Sequence, residues 1–337
     1  MKFVSRAMKK VVTVVASVAT ATTIMVAGQG VAHAGHRDWL RPDATGTCDW
    51  DAHGWWVQRC DVWSEAMGRN IPVQIQPSQR GGNAALYLLD GARATEESNA
   101  WTIDANAPES FQHHNITLVM PIGGAGSFYQ DWVAPATYTS NGPTYMWETF
   151  LTKELPGYLS QQFGVAENNM SVAGLSMGGT AAVNLASRNP DKFRQAISWS
   201  GYLAMTLPGM EMLLRLAMLD LGGFNINAMY GSIFSPKRYE NDPMWNIEGL
   251  KNTNVYISAA SGFWGVDDFS TPIGNRINGS LLESFSLYTT SMWEMKARAQ
   301  GVNPTVDYPP TGIHDWKQWR YQLERTKPQI LDVMGAW

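Results

Sequence analysis

Two stretches of the chain are apolar without interruption, residues 84–89 (AALYLL) and 116–120 (ITLVM). Continuous apolar runs of this length predict strands buried on both faces. Residues 60–65 and 71–76 instead alternate apolar with polar positions, and the turn residues Met67-Gly68-Arg69-Asn70 separate them. That pattern predicts an antiparallel hairpin at a sheet edge. Residues 170–173, 196–199 and 255–259 predict further strands, with a short last one at 305–308. Between the strands the apolar period lengthens to that of a helix. Trp147, Phe150, Leu151, Leu155, Tyr158 and Leu159 share one stripe, with Pro156 predicting a kink. Residues 180–188, 281–299 and 315 onward predict three more helices, and residues 35–56 read as irregular. Strands alternating with helices predict an α/β fold with a mostly parallel central sheet and helices on both faces. In such sheets reactive residues belong at the carboxyl ends of strands. Residues 203–221 (LAMTLPGMEMLLRLAMLDL) are rich in Met and Leu. Flexible thioether side chains suit an adaptable groove for a lipid chain, and a buried cap helix gives the same pattern.

The first 34 residues change the picture of where the protein works. Lys2, Arg6, Lys9 and Lys10 precede an apolar or small-residue run over 11–32, and Ala32-His33-Ala34 supplies an A-x-A site. This is the pattern of a cleaved secretory signal peptide, so an exported protein is expected. The remainder, 35–337, shows no repeat, charge block or linker and predicts one domain, with 35–66 as an N-terminal extension. The leader carries four basic and no acidic residues, so its loss takes the formal charge from −4 to −8. Nothing in that balance attracts nucleic acid or an anionic membrane. Cys48 and Cys60 are the only cysteines. Export permits a disulfide between them, worth about 3 kcal/mol on the chain-entropy model, and two free thiols are the alternative. Two thiols are too few for the usual zinc site, and no cofactor motif is present.

The candidate chemistry centres on Gly174-Leu175-Ser176-Met177-Gly178. This matches G-x-S-x-G, the nucleophile elbow of α/β hydrolases, and it lies between a predicted strand and a predicted helix as that motif requires. The turn holding the serine is tight, so its neighbours two positions away must be small. The Met177 N–H, at the start of a helix, can donate to an oxyanion. On this fold the triad runs serine, acid, histidine. Of six histidines only His314 follows Ser176, in a Pro/Gly-rich loop before the last helix, which makes it the candidate base. Fold position favours Asp267 or Asp268 as the acid, after the 255–259 strand, with Asp242 weaker and Glu283 further on. The second oxyanion amide is expected at Ala92, in the loop after the 84–89 strand. Asp90 and Arg93 flank it, either to bind a polyhydroxylated acceptor or as a local ion pair.

These residues carry a resemblance. YLLDGARA (87–94), MPIGGAGSFYQDW (120–132), WETFLTKELP (147–156), GLSMG (174–178), NDP (241–243) and GIHDW (312–316) are similar, in order, to motifs of the antigen 85 mycolyltransferase family. The resemblance runs from about residue 67 to the C-terminus. It implies an α/β-hydrolase fold, a cell-envelope location, and transfer of mycolic acids between trehalose esters or onto cell-wall arabinan. It moves the triad acid to Glu283, in LLESF (281–285), read as opening a helix. It also implies trehalose contacts at Asp90 and Arg93, a tryptophan beside the histidine at Trp316, and oxyanion amides at Ala92 and Met177. The mycobacterial pattern carries a cysteine pair in the loop before WETF. Residues 134–145 have none, which implies a corynebacterial-type member. A secreted carboxylesterase of the same fold, transferring to water, is the nearest competing expectation. A matrix-binding surface protein is a second, since some members of the family are described as fibronectin-binding.

Overall fold

The computed structural model describes residues 48–138, 142–232 and 234–337. The signal-peptide reading of residues 1–34 lies outside the described residues, as does the extension up to residue 47. Among the described residues, nine strands form one sheet: β1 (Cys48–Trp50), β2 (Gln58–Ser64), β3 (Arg69–Gln76), β4 (Ala84–Leu89), β5 (Ile116–Pro121), β6 (Met170–Leu175), β7 (Phe193–Trp199), β8 (Asn254–Ser258) and β9 (Thr305–Asp307). Their order is β1-β2-β3-β5-β4-β6-β7-β8-β9. The first three pair antiparallel, β3 joins β5 antiparallel, and the sheet is parallel from β5 to β9. The principal helices are α1 (Leu155–Phe163), α2 (Met177–Arg188), α3 (Met210–Gly222), α4 (Ile273–Ala299) and α5 (Trp316–Met334).

The uninterrupted apolar strands follow from burial on both faces. Along β4 the side chains alternate between two cores. Ala84, Leu86 and Leu88 join Leu118, Ile197 and Trp199 in a core closed by Trp101, Phe111 and, from α5, Trp319 and Leu323. Ala85, Tyr87 and Leu89 join Val119 and Val172 in the other, closed by Leu155 and Leu159 of α1, Ala181 of α2 and Trp293 of α4. A polar residue at any of these β4 positions would enter one core or the other, so the run cannot alternate.

The structure departs from the sequence expectations in four places. The predicted hairpin is β2/β3, but β1 lies outside it and takes the edge. Three residues are too few to show a period. Cys48 stands opposite Cys60 in the β1/β2 register, with the two Cα atoms 4.2 Å apart, and the two form a disulfide. The Tyr158 hydroxyl of α1 donates to Cys48 Sγ at 3.2 Å.

The expected kink at Pro156 is replaced by a π-helical turn, Phe150–Glu154, in which the Leu155 N–H reaches back to the Phe150 carbonyl. Proline has no N–H to continue the α-helical ladder, so the register changes before it and a new helix starts with Pro156 in its first turn. The Glu154 carboxylate at this junction accepts from Ser64 Oγ (2.5 Å) and the Ala66 N–H (2.8 Å), fastening the helix to the β2–β3 turn.

Helix α4 begins at Ile273, eight residues before the predicted start. Gly274, Asn275 and Gly279 are poor helix formers and hide its first turns. Finally, of the two alternatives for the Met/Leu-rich segment, a fully buried cap is not what forms, although Leu203, Met205, Met210 and Met218 are buried. Helix α3 leaves Met212, Leu213, Leu216 and Leu219 exposed.

Candidate active site

β6 ends at Leu175 and α2 begins at Met177, so Ser176 is the single residue between strand and helix. Its backbone sits at φ 51°, ψ −119°, a conformation that side chains other than glycine rarely adopt and that costs of order 1–3 kcal/mol. The Ser176 N–H donates to the Trp199 carbonyl at 2.8 Å, which anchors the turn to β7. Ser176 is also the one residue between 170 and 187 that is not buried. The flanking glycines are explained by proximity. A Cβ on Gly174 would lie 2.4 Å from backbone atoms of Gly178, and one on Gly178 would lie 2.5 Å from the Asp90 carbonyl oxygen. Neither backbone can give way cheaply.

His314 reaches the serine from the loop before α5. Its Nε2 lies 2.9 Å from Ser176 Oγ, and its Nδ1 lies 2.7 Å from Glu283 Oε2. The loop is held by the His314 N–H donating to the Gly279 carbonyl of α4 at 3.1 Å. Asp315 caps α5 by accepting from the Lys317 and Gln318 amides. Glu283 projects from the third turn of α4 and is fully buried. Its second oxygen, Oε1, accepts from the Ser200 hydroxyl (2.8 Å) and the Ala260 N–H (2.7 Å). These donors give hydrogen-bond partners to a carboxylate that folding has removed from water.

Of the alternative acids, Asp268 and the weaker candidate Asp242 have their carboxylates engaged elsewhere. Asp268 accepts the Gly265 N–H at 2.7 Å and caps a short 3-10 helix. Asp242 accepts from Thr206 and the Met244 N–H. Asp267 lies on the same short helix as Asp268, where its carbonyl accepts from Lys317.

The loop carrying Ala92 lies against the serine turn: a Cβ on Gly91 would meet Leu175 Cδ1 at 2.7 Å. The Ala92 carbonyl accepts the Gly126 N–H at 3.1 Å, and the Phe128 N–H donates to Met177 Sδ at 3.2 Å. The 120–132 segment therefore buttresses both candidate oxyanion amides. The Met177 amide, at the first position of α2, has no acceptor within its helix.

The arrangement invites comparison with known proteins. The Esterase family model matches residues 64–330. The diacylglycerol acyltransferase/mycolyltransferase Ag85C of Mycobacterium leprae is 37% identical over 281 residues, covering 83% of this chain and 83% of that protein. The chain belongs to the antigen 85 mycolyltransferase family. Among solved structures, Mycobacterium tuberculosis MPT51 (FbpC1) superposes with a TM-score of 0.72 at 28% identity, covering 82% of this chain and 98% of that one. An S-formylglutathione hydrolase from Agrobacterium tumefaciens shares the fold alone, with a TM-score of 0.62 at 13% identity, covering 86% of this chain and 98% of that one. The α/β-hydrolase fold expected from the sequence is thus the fold observed.

In this mycolyltransferase-family chain the expected sugar contacts differ in character. Asp90 is buried, its carboxylate accepting the Gly91 N–H (3.2 Å) and the Ala100 N–H (2.9 Å). Burial pushes its pKa up to about 7, against the lowering effect of those two amides. Arg93 is exposed and faces Asp220 of α3 at 3.8 Å, not Asp90. Trp316 is partly buried, edge-on to Trp101 and Trp319 with centroids 5.3 and 5.2 Å away.

Sequence reasoning missed Ser200 and Trp319. Trp319 meets the His314 ring edge-on at 5.0 Å, and its Nε1 donates to Ser200 Oγ at 3.1 Å. Ser200 directly follows β7, so the carboxyl-end rule could have found it. Trp319 lies one helical turn beyond Trp316, which is a weaker signal.

Proposed function

We propose that this protein is an exported mycolyltransferase of the corynebacterial type that works in the outer cell envelope. On this reading Ser176 is the nucleophile, His314 the general base and Glu283 the acid that orients it. The observation that carries the reading is the unbroken relay Ser176 Oγ–His314 Nε2 (2.9 Å) and His314 Nδ1–Glu283 Oε2 (2.7 Å), in a chain of this family.

His314 Nε2 takes the Ser176 proton as Oγ attacks the ester carbonyl of a trehalose monomycolate. The Ala92 and Met177 amides hold the oxyanion. The collapsing intermediate releases trehalose, which takes the proton from His314. A hydroxyl of a second trehalose ester, or of cell-wall arabinan, then attacks the acyl-enzyme in the same way. Glu283 keeps the imidazole in the tautomer with its proton on Nδ1 and stabilises the imidazolium. Asp90, Arg93 and Trp316 are assigned to the sugar, Asp90 through the lone pairs its two amide bonds leave free. The exposed Met and Leu side chains of α3 are assigned to the acyl chain. Asp220 on that helix faces Arg93 at 3.8 Å, which supports setting α3 next to the residues assigned to the sugar.

The test is to incubate the mature protein with trehalose monomycolate and identify the products by mass spectrometry. Trehalose dimycolate is expected, and Ser176→Ala should abolish it while leaving the circular dichroism spectrum unchanged. If free mycolic acid is the only product even with excess trehalose ester present, the protein is a hydrolase and the transfer reading is wrong.

A further inference from the structure

His314 and Glu283 share a brace that nothing in the mechanism above uses. Trp319 lies in the first turn of α5, just beyond the loop that carries His314, and is buried in the same core as Ile197 and Trp199 of β7. Its ring stands edge-on to His314, with 89° between the planes and centroids 5.0 Å apart. Its indole N–H donates to Ser200 Oγ at 3.1 Å. An indole N–H can only donate, and a serine hydroxyl has one hydrogen. Ser200 Oγ therefore accepts from Trp319, and its own hydrogen is left for Glu283 Oε1, 2.8 Å away. The Ser200 backbone is fixed in turn, its N–H on the Ser258 carbonyl at 2.8 Å. Glu283 Oε1 also accepts the Ala260 N–H at 2.7 Å. Two donors, from the ends of β7 and β8, set the plane of the carboxyl group, and Oε2 is thereby presented to His314 Nδ1 at 2.7 Å. With the Ala260 bond alone, the carboxyl group would have a single contact to pivot about.

We propose that Trp319 and Ser200 are positioning residues for the reaction: the indole N–H commits the Ser200 hydroxyl to Glu283, and Glu283 so held keeps His314 in line with Ser176. This rests on Ser176, His314 and Glu283 acting as assigned above. Both positioning residues are buried, so they act through the relay and not on the substrate. The ring of Trp319 adds a second restraint. His314 is bonded through Nδ1 and Nε2, which leaves it free to rock about the line joining those atoms, and an aromatic edge packed against the ring opposes that motion. One imidazole serves acylation and deacylation alike, so a change in its position lowers both half-reactions together. The turnover number then falls while KM stays where it was.

The experiment is a double-mutant cycle on p-nitrophenyl butyrate with Ser200→Ala, Trp319→Phe and the pair. Trp319→Phe keeps an aromatic edge toward His314 and removes the N–H. Active sites are counted by titration with a phosphonate, so that a loss of folded enzyme is not read as a loss of rate. Ser200→Ala should lower kcat by about ten- to a hundredfold, as for loss of a hydrogen bond to a carboxylate, and Trp319→Phe by about three- to tenfold, as for loss of a neutral one. KM should stay within about twofold throughout. The double variant should fall no more than about twofold below Ser200→Ala, because Trp319 acts through the hydroxyl already removed. Multiplicative losses would mean that Trp319 only packs, and Trp319→Phe with the parent's kcat would mean that it does nothing; either overturns the proposal. Proton NMR gives a reading that needs no turnover. The Nδ1–H of His314, far downfield while bonded to Glu283, should shift in Ser200→Ala, and a resonance that does not move also overturns the proposal. A parent enzyme whose Ser176 takes no phosphonate would instead sink the nucleophile assignment, and this proposal with it.

Discussion

Glu283 accepts three hydrogen bonds on one buried carboxylate, from His314, Ser200 and Ala260, whereas Asp267 and Asp268 serve a short surface turn. The orienting role proposed for Glu283 needs both its charge and its geometry. Glu283→Gln keeps the shape but turns a donor toward His314, which favours the wrong tautomer. We expect mycolyl transfer to fall by several orders of magnitude, on the order of 10⁴ where this exchange is best understood, with Asp267→Asn and Asp268→Asn close to the parent. A dead aspartate variant beside an active Glu283→Gln would reverse the assignment. Asp90 makes a second residue-level prediction, in stability. Its pKa is raised to about 7 in the fold against 3.8 as a free side chain, so the folded state binds the extra proton between those values. The stability this contributes is fully present below about pH 4 and is lost as the pH rises through 7. Asp242 and Asp315, also raised by burial, slope the same way, so the difference from Asp90→Asn isolates the one group. The melting-temperature gap between parent and Asp90→Asn should narrow from pH 4 to pH 8; a gap that is constant or widens contradicts it.

At the scale of elements, most of the sheet was legible because burial on both faces writes itself as continuous apolar runs, and the turn at Ser176 because its glycines are required by contact. The start of α4 was not legible, since the residues that make it useful weaken its helical signal. Gly279 is the clearest case. Its carbonyl holds the His314 N–H, and a Cβ there would stand 3.3 Å from Ile313 Cβ and 3.5 Å from the His314 amide. The helix gives up about 1 kcal/mol of propensity at this position so that the histidine loop can lie against it. Nor could local sequence favour Glu283 over the aspartates, because its partners Ser200 and Ala260 come from the ends of β7 and β8, brought together only by the sheet order. Gly279→Ala should therefore leave the melting temperature within a few degrees, propensity offsetting crowding, while kcat falls several-fold as His314 moves by a few tenths of an ångström. An unchanged kcat would show that the loop does not depend on this approach.

At the scale of the whole molecule, the N-terminal edge and the site are held by separate means. The disulfide ties β1 to β2, at one end of a sheet in which β6, carrying Ser176, is the sixth strand across. Neighbouring strands lie about 4.8 Å apart, so the bridge is roughly 20 Å or more from Ser176. Between them stand β3, β5 and β4, whose side chains are packed into both cores. Losing the bridge frees a three-residue edge strand and relaxes the unfolded chain, and neither change has a route to Ser176, His314 and Glu283 except through strands that remain packed. The double variant Cys48→Ser, Cys60→Ser should unfold in urea with a free energy lower by about 3 kcal/mol, and the parent under reducing conditions should match it. Its transfer rate at 25 °C should equal that of the parent. An enzyme that stays folded but loses activity when the bridge is cut would show that the edge is coupled to the oxyanion loop on β4, and the separation drawn from the strand order would be wrong.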